Sequence, residues 1–224
     1  MPEKPSLTPT KVCKMCFKEI KNGSYHDILN NGIICYSCLN KLNPEFIEFK
    51  VDGIEALSIY EYSDFVKESI YQYKGCGDFE LCNVFVGPFV NELKLLYRNF
   101  EIVPAPSHKK ENHVVYMFNC LGLPMHDIFY KSKEHKQSDQ HYQQRKEVGK
   151  YIHLKEGFES IEGKNVLLVD DVCTTGSTLK ACIKLLKTLK PKTIEILVIA
   201  KRVFSEEEIN HLKTSEKITD LEII

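Results

Sequence analysis

Four consecutive aliphatics, Val166, Leu167, Leu168 and Val169, end in Asp170 and Asp171 and give way to small hydroxylated residues. An apolar run of that kind suits a strand buried on both faces, as in a parallel sheet. Leu179, Cys182, Ile183, Leu186 and Leu189 then recur at helical spacing, so a helix follows directly. The same reading predicts strands over residues 56–62, 100–103, 125–130 and 193–200. It predicts helices over residues 64–73, capped by Ser63, and over 79–96, kinked or divided at Gly87-Pro88. Residues 113–121 read as a short helix closed by Gly122, and Ser205-Glu206-Glu207-Glu208 reads as a capping box opening a last one. Residues 74–78 read as a turn, and residues 131–144, polar and without apolar period, as a mobile loop. Strands alternating with helices make this an α/β fold, a mostly parallel twisted sheet with flanking helices.

The stretch after the acids carries the chemistry. Val172-Cys173-Thr174-Thr175-Gly176-Ser177-Thr178 is a turn on a helix N-terminus, where unpaired N–H groups and the helix dipole attract phosphate. Asp170 and Asp171 stand one step earlier at the carboxyl edge of the strand, where open α/β sheets bind ligands. Carboxylates accept hydrogen bonds from neighbouring hydroxyls, so a ribose 5-phosphate would satisfy acids and turn together. The chain has no Gly-Lys-Ser/Thr of a Walker loop.

The N-terminal part holds a second pattern. Cys13-Lys14-Met15-Cys16 and Cys35-Tyr36-Ser37-Cys38 are two Cys-x-x-Cys knuckles with eighteen residues between them. Each turn presents two sulfurs to one ion, and two turns complete a tetrahedral site. Asn22-Gly23 and Asn30-Asn31-Gly32 between them are hairpin signals, which makes residues 1–45 a zinc ribbon preceded by a frayed arm over residues 1–10. With all four positions filled by cysteine, Cys13, Cys16, Cys35 and Cys38 leave no site for water, so the zinc is expected to be structural. Residues 39–57 read as a link broken at Pro44, with the main domain over 54–224.

Charge and length add limits. Across 224 residues, 30 Lys and Arg stand against 31 acids, so the overall balance gives no nucleic-acid signal. Between residues 108 and 155, however, nine Lys or Arg face five acids, and six of the eight histidines fall there. No apolar stretch has membrane-spanning length and the start lacks a signal-peptide core, so the expected location is cytoplasmic. Nine cysteines then argue for metal binding or burial rather than disulfides.

The string from Val166 to Thr178 resembles the phosphoribosyl pyrophosphate (PRPP) loop of type I phosphoribosyltransferases. With the four-cysteine knuckles, Tyr73-Lys74-Gly75-Cys76-Gly77-Asp78, Ile102-Val103-Pro104-Ala105-Pro106, and a polar loop with Gln137 and Arg145, the chain resembles the ComF family of competence proteins. The resemblance implies that Asp170 and Asp171 hold ribose hydroxyls, that the loop 174–178 takes the 5-phosphate, and that Ala105, Pro106, Ser107 and Lys109 receive pyrophosphate. It makes Lys133, Lys136 and Arg145 candidates to cover the pyrophosphate, and it brings Mg with PRPP. It also implies a cytoplasmic role in the uptake of single-stranded DNA beside a DNA-translocating helicase. The chain departs from the family where an arginine-rich run usually follows the Pro-x-Pro strand end; here Ser107-His108-Lys109-Lys110 stands instead.

Three functions stay open at this point. One is transfer of ribose 5-phosphate from PRPP to an unidentified acceptor, either in a competence protein or in nucleotide salvage. Another is a DNA-binding module with Tyr130, Tyr142 and Tyr151 as stacking candidates. The last is a regulator for which PRPP is only a ligand.

Overall fold

The computed structural model describes residues 11–20, 33–107, 111–132 and 151–204. Helix α1 (Tyr36–Leu42) leads into strand β1 (Pro44–Val51), which turns into β2 (Ile54–Glu61). Asp52 and Gly53 connect them with φ of 53° and 73°, the left-handed pair of a two-residue hairpin. The stretch read as a link is therefore an edge strand and its hairpin. Pro44 does not break it because Pro is tolerated at the first residue of an edge strand, and the Asp-Gly turn sets the register Val51 to Ile54.

Helix α2 (Asp64–Cys76) starts at Ser63, whose hydroxyl accepts from the Val66 amide, and stops at Gly77 with φ 75°. Lys74, Gly75 and Cys76 thus form the last helical turn, not the turn expected there. The next apolar stretch divides as Gly87-Pro88 predicts, into 3-10 turns Phe79–Asn83 and Gly87–Phe89 and helix α3 (Val90–Leu96). Strand β3 (Glu101–Pro104), helix α4 (His113–Phe118) with a 3-10 turn to Leu121, and the short pair β4 (Phe129–Lys131) and β5 (Ile152–Leu154) follow. Of the strand expected over 125–130, only its end is β4; Met125 instead makes a lone bridge to Ile102. Strand β6 (Asn165–Cys173), helix α5 (Ser177–Thr188) and strand β7 (Thr193–Lys201) close the described chain.

The main sheet has the order β1-β2-β7-β6-β3. Strands β2, β7, β6 and β3 run parallel, and β1 is antiparallel on the edge. The parallel α/β sheet expected from the sequence is the one found. Strand β6 alternates between two cores: Leu167 and Val169 face α2 and α4 with Tyr60, Tyr73, Phe85 and Met117, while Val166 and Leu168 face α5 with Ile183 and Leu186. Burial on both faces is what the unbroken aliphatic run required.

The cysteine segment joins the first of these cores through Cys13, Ile20, Ile34, Cys38 and Leu42. Gly87 makes room for it, since a Cβ there would fall 2.5 Å from the Ile33 side chain. No described helix is long and apolar enough to cross a membrane.

Candidate functional site

Four parallel strands bring their carboxyl ends to one rim, and β6 delivers Asp170 and Asp171 to it, both buried. Their neighbourhood is set by the two-residue period of a strand. Asp171 shares the face of Leu167 and Val169 and meets α2 and α4. Its Oδ2 accepts from Lys74 Nζ at the end of α2 and lies 2.7 Å from His113 Nε2 at the start of α4. Its Oδ1 accepts from the Val172 amide at 2.7 Å. Asp170 turns toward α5, and its Oδ1 accepts from the Asp171 amide at 2.9 Å. Among the described residues no hydrogen bond reaches its Oδ2.

Equal burial therefore produces opposite titration. Burial and the neighbouring Asp171 charge push the Asp170 carboxyl up to about 8. Burial acts the same way on Asp171, but the His113 hydrogen bond and the Lys74 charge outweigh it and hold that carboxyl below the ordinary range.

The strand-end loop after β3 is tied to this rim. The Ala105 amide donates to Val169 O at 2.8 Å, and Asn112 Nδ2 donates to Ala105 O at 2.9 Å. Ser107 Oγ lies 3.1 Å from His113 Nδ1, so one imidazole spans from the loop to Asp171. The Tyr73 hydroxyl donates to the His113 carbonyl at 2.9 Å and fixes the start of α4.

Beyond β6, Gly176 takes φ 69° and opens α5. Thr175 Oγ1 and Ser177 Oγ are 2.9 Å apart. Among the described residues the amides of Thr174, Thr175, Ser177 and Thr178 donate to no acceptor within the protein, while the Gly176 amide faces the Cys173 thiol. Val172 and Cys173 stay in the strand. The turn is a set of backbone donors at a helix N-terminus, suited to an anion.

Of the residues the sequence singled out, Ala105, Pro106, Ser107, Asp170, Asp171 and the turn 174–178 come to one rim. Lys109, Lys133, Lys136, Gln137, Tyr142 and Arg145 lie outside the described residues, as do the hairpin signals at 22–23 and 30–32 and the capping box at 205–208. Sequence reasoning missed Lys74 and His113, and also Tyr62 and Arg202. The Tyr62 phenol is raised chiefly by burial and also feels the charges of Lys74, Asp171 and Arg202. The signal available for Lys74 was its place in the last turn of an amphipathic helix beside a strand end.

The cysteines converge as their spacing requires. The ligand atoms of Cys13, Cys16, Cys35 and Cys38 all lie within 4.8 Å of one another. The Sγ atoms of Cys16 and Cys35 are 3.7 Å apart. A tetrahedron with metal–sulfur arms of ~2.3 Å has edges of ~3.8 Å, so this donor set fits zinc. Burial raises Cys13, but backbone hydrogen bonds from Cys35, Cys16 and Met15 outweigh it and bring the thiol down to about 7. Burial and the neighbouring sulfurs push Cys38 up. The cluster can hold a cation that neutralises four sulfurs at once.

Comparison with known proteins places these features. The phosphoribosyl transferase domain family matches residues 113–223. The competence protein ComFC of Bacillus subtilis is 32% identical over 54% of this chain and 53% of its own length. The ComFC protein of Streptococcus pneumoniae is 28% identical over 64% of this chain and 66% of its own. The matched stretch thus spans about half to two thirds of these relatives. Among solved structures, a hypoxanthine phosphoribosyltransferase from Staphylococcus aureus is 18% identical over 58% of this chain and 66% of that one, with a TM-score of 0.40.

Proposed function

We propose, from the premise that the chain belongs to the ComF family of phosphoribosyltransferase-like proteins, that it binds PRPP with Mg at the carboxyl end of β6 and supports uptake of single-stranded DNA. The observation that carries this reading is the turn after β6, four backbone donors without an acceptor among the described residues, directly behind two buried acids. In this reading the 5-phosphate sits on the amides of Thr174, Thr175, Ser177 and Thr178 with the hydroxyls beside them. The ribose hydroxyls face the acid pair, where Asp170 Oδ2 is the open acceptor. Pyrophosphate then extends toward Ala105, Pro106 and Ser107, with Lys109 and Arg145 as further cations. The divalent charge of Mg suits two buried carboxyls and would draw the Asp170 proton off.

Such a site can promote displacement of pyrophosphate from the anomeric carbon chiefly by positioning and by stabilising the leaving charge. Whether the acceptor is a nucleobase of salvage or the site only senses PRPP is decided by turnover. Support for a DNA-facing surface comes from Tyr130, an exposed ring 5.4 Å from the His153 ring on the β4–β5 pair, both within the stretch 108–155 whose sequence is locally basic. The proposed setting is cytoplasmic, next to a DNA-translocating helicase.

Calorimetric titration with Mg-PRPP tests the reading. Saturable binding by the wild-type chain, lost in the Asp170→Asn/Asp171→Asn variant, is expected. Labelled single-stranded DNA should bind with strong salt dependence and survive that double substitution. Absence of PRPP binding at any Mg concentration would overturn the proposal.

A further inference from the structure

The pyrophosphate end of the site raises an electrostatic problem that the fold answers with residues from elsewhere in the chain. Behind the strand-end loop lies Asp171, a buried carboxylate whose bare charge would repel a diphosphate. Both of its oxygens are engaged within the protein: Oδ1 by the Val172 amide, Oδ2 by Lys74 and His113. Oδ2 thus takes two donors at once, while Oδ1, with the Val172 amide alone, keeps a lone pair for a further donor.

We propose that Lys74 and His113, anchored on Asp171, form the floor of the pyrophosphate subsite, with Lys74 as its cation and Asp171 as the residue that positions both. The inference rests on the PRPP reading above and narrows it to the diphosphate end of the site. Three features support it. The Lys74 side chain is 36% exposed, so its ammonium stands at the solvent boundary where a diphosphate would arrive. His113 reaches Ser107 of the strand-end loop with its other ring nitrogen, which places the imidazole between the loop and the acid. Tyr62 and Arg202 directly follow β2 and β7 on the same rim, where the Tyr62 amide donates to Lys201 O at 2.8 Å and the Arg202 amide to Cys173 O at 3.0 Å. Two side chains from α2 and α4 thereby stand where the chain lacks the family's run of arginines after Pro106.

The test is a calorimetric comparison of three ligands, each with Mg: inorganic pyrophosphate, PRPP and ribose 5-phosphate, on the full chain. Lys74→Met is expected to weaken pyrophosphate and PRPP about tenfold or more while ribose 5-phosphate changes less than about twofold, a gap of ~1.4 kcal/mol per decade. His113→Gln should shift the ligands in the same order. Lys74→Arg, which keeps the charge and the anchor, should recover much of the loss even if the neutral variant melts early. Equal weakening of all three ligands would make the pair a support for sugar binding and overturn the inference, as would no change in any. A wild-type chain that binds neither PRPP nor ribose 5-phosphate would instead overturn the PRPP reading itself, and this inference with it.

Discussion

At the carboxyl end of β6 a buried acid finds its countercharge inside the protein, in Lys74, with His113 bonded to the same oxygen; at the N-terminal knuckles four buried or half-buried thiols find none among the described residues. The first cluster is electrically balanced by distant parts of the same fold, so it can form before a ligand arrives. The second brings together sulfurs that resist joint ionisation, and only a cation from outside can hold them as thiolates. Buried ionisable clusters thus fall into self-compensated sites, poised for exchange, and sites that a permanent guest must complete.

Removing the guest should have the largest effect. Chelation, or Cys38→Ser, is expected to abolish a one-to-one zinc content and to lower the melting temperature by about 10 °C or more, because the knuckles share a core with α1 and the sheet. Metal analysis with scanning calorimetry reads both; full metal-free stability would break the contrast. Next, Asp171→Asn takes the anchor from Lys74 and His113 and should cost about 1–3 kcal/mol in urea unfolding, less than for a fully buried pair because Lys74 reaches solvent.

A smaller, pH-dependent effect belongs to its neighbour. Folded Asp170 keeps its proton to about 8, well above the unfolded carboxyl, so its contribution is full below the ordinary carboxylate range and is lost as pH rises through 8. Asp170→Asn should therefore raise the melting temperature more at pH 9 than at pH 5, and equal shifts at both would deny the burial of an unpaired proton there. The smallest effect expected is Gly87→Ala, about 1–2 kcal/mol, since the added methyl meets the end of Ile33, a flexible side chain that can turn aside. If it costs nothing, the knuckles do not depend on that close approach.

What the sequence disclosed follows from how local each signal is. Strand β6, its turn and α5 are contiguous, so four aliphatics, two acids and a helical period define them without help from the rest of the chain. The cysteines carry their ligand spacing with them. Lys74 and His113 do not, because they stand 97 and 58 residues from Asp171 and acquire meaning only when α2 and α4 pack on one face of the sheet. Strand β1 was hidden for a different reason. Pro44 weighs against a strand in general, and the edge position that excuses it is a property of the sheet. The Asp52-Gly53 pair at its end is, by contrast, a local hairpin signal that lies inside the stretch read as a link.

Strand β1 also guards the molecule's border. Its outer rim begins with a proline that cannot donate, bends where Phe46 takes φ 51°, and carries Glu45, Glu48 and Lys50. The opposite rim is covered as well, since β3 exchanges bonds with the segment around Pro124 and His126 through Ile102. Among the described residues, a neighbouring copy approaching the main sheet meets a kinked, charged fringe on one side and, on the other, a strand already bonded through Ile102, so that sheet offers little template on which to stack strand against strand.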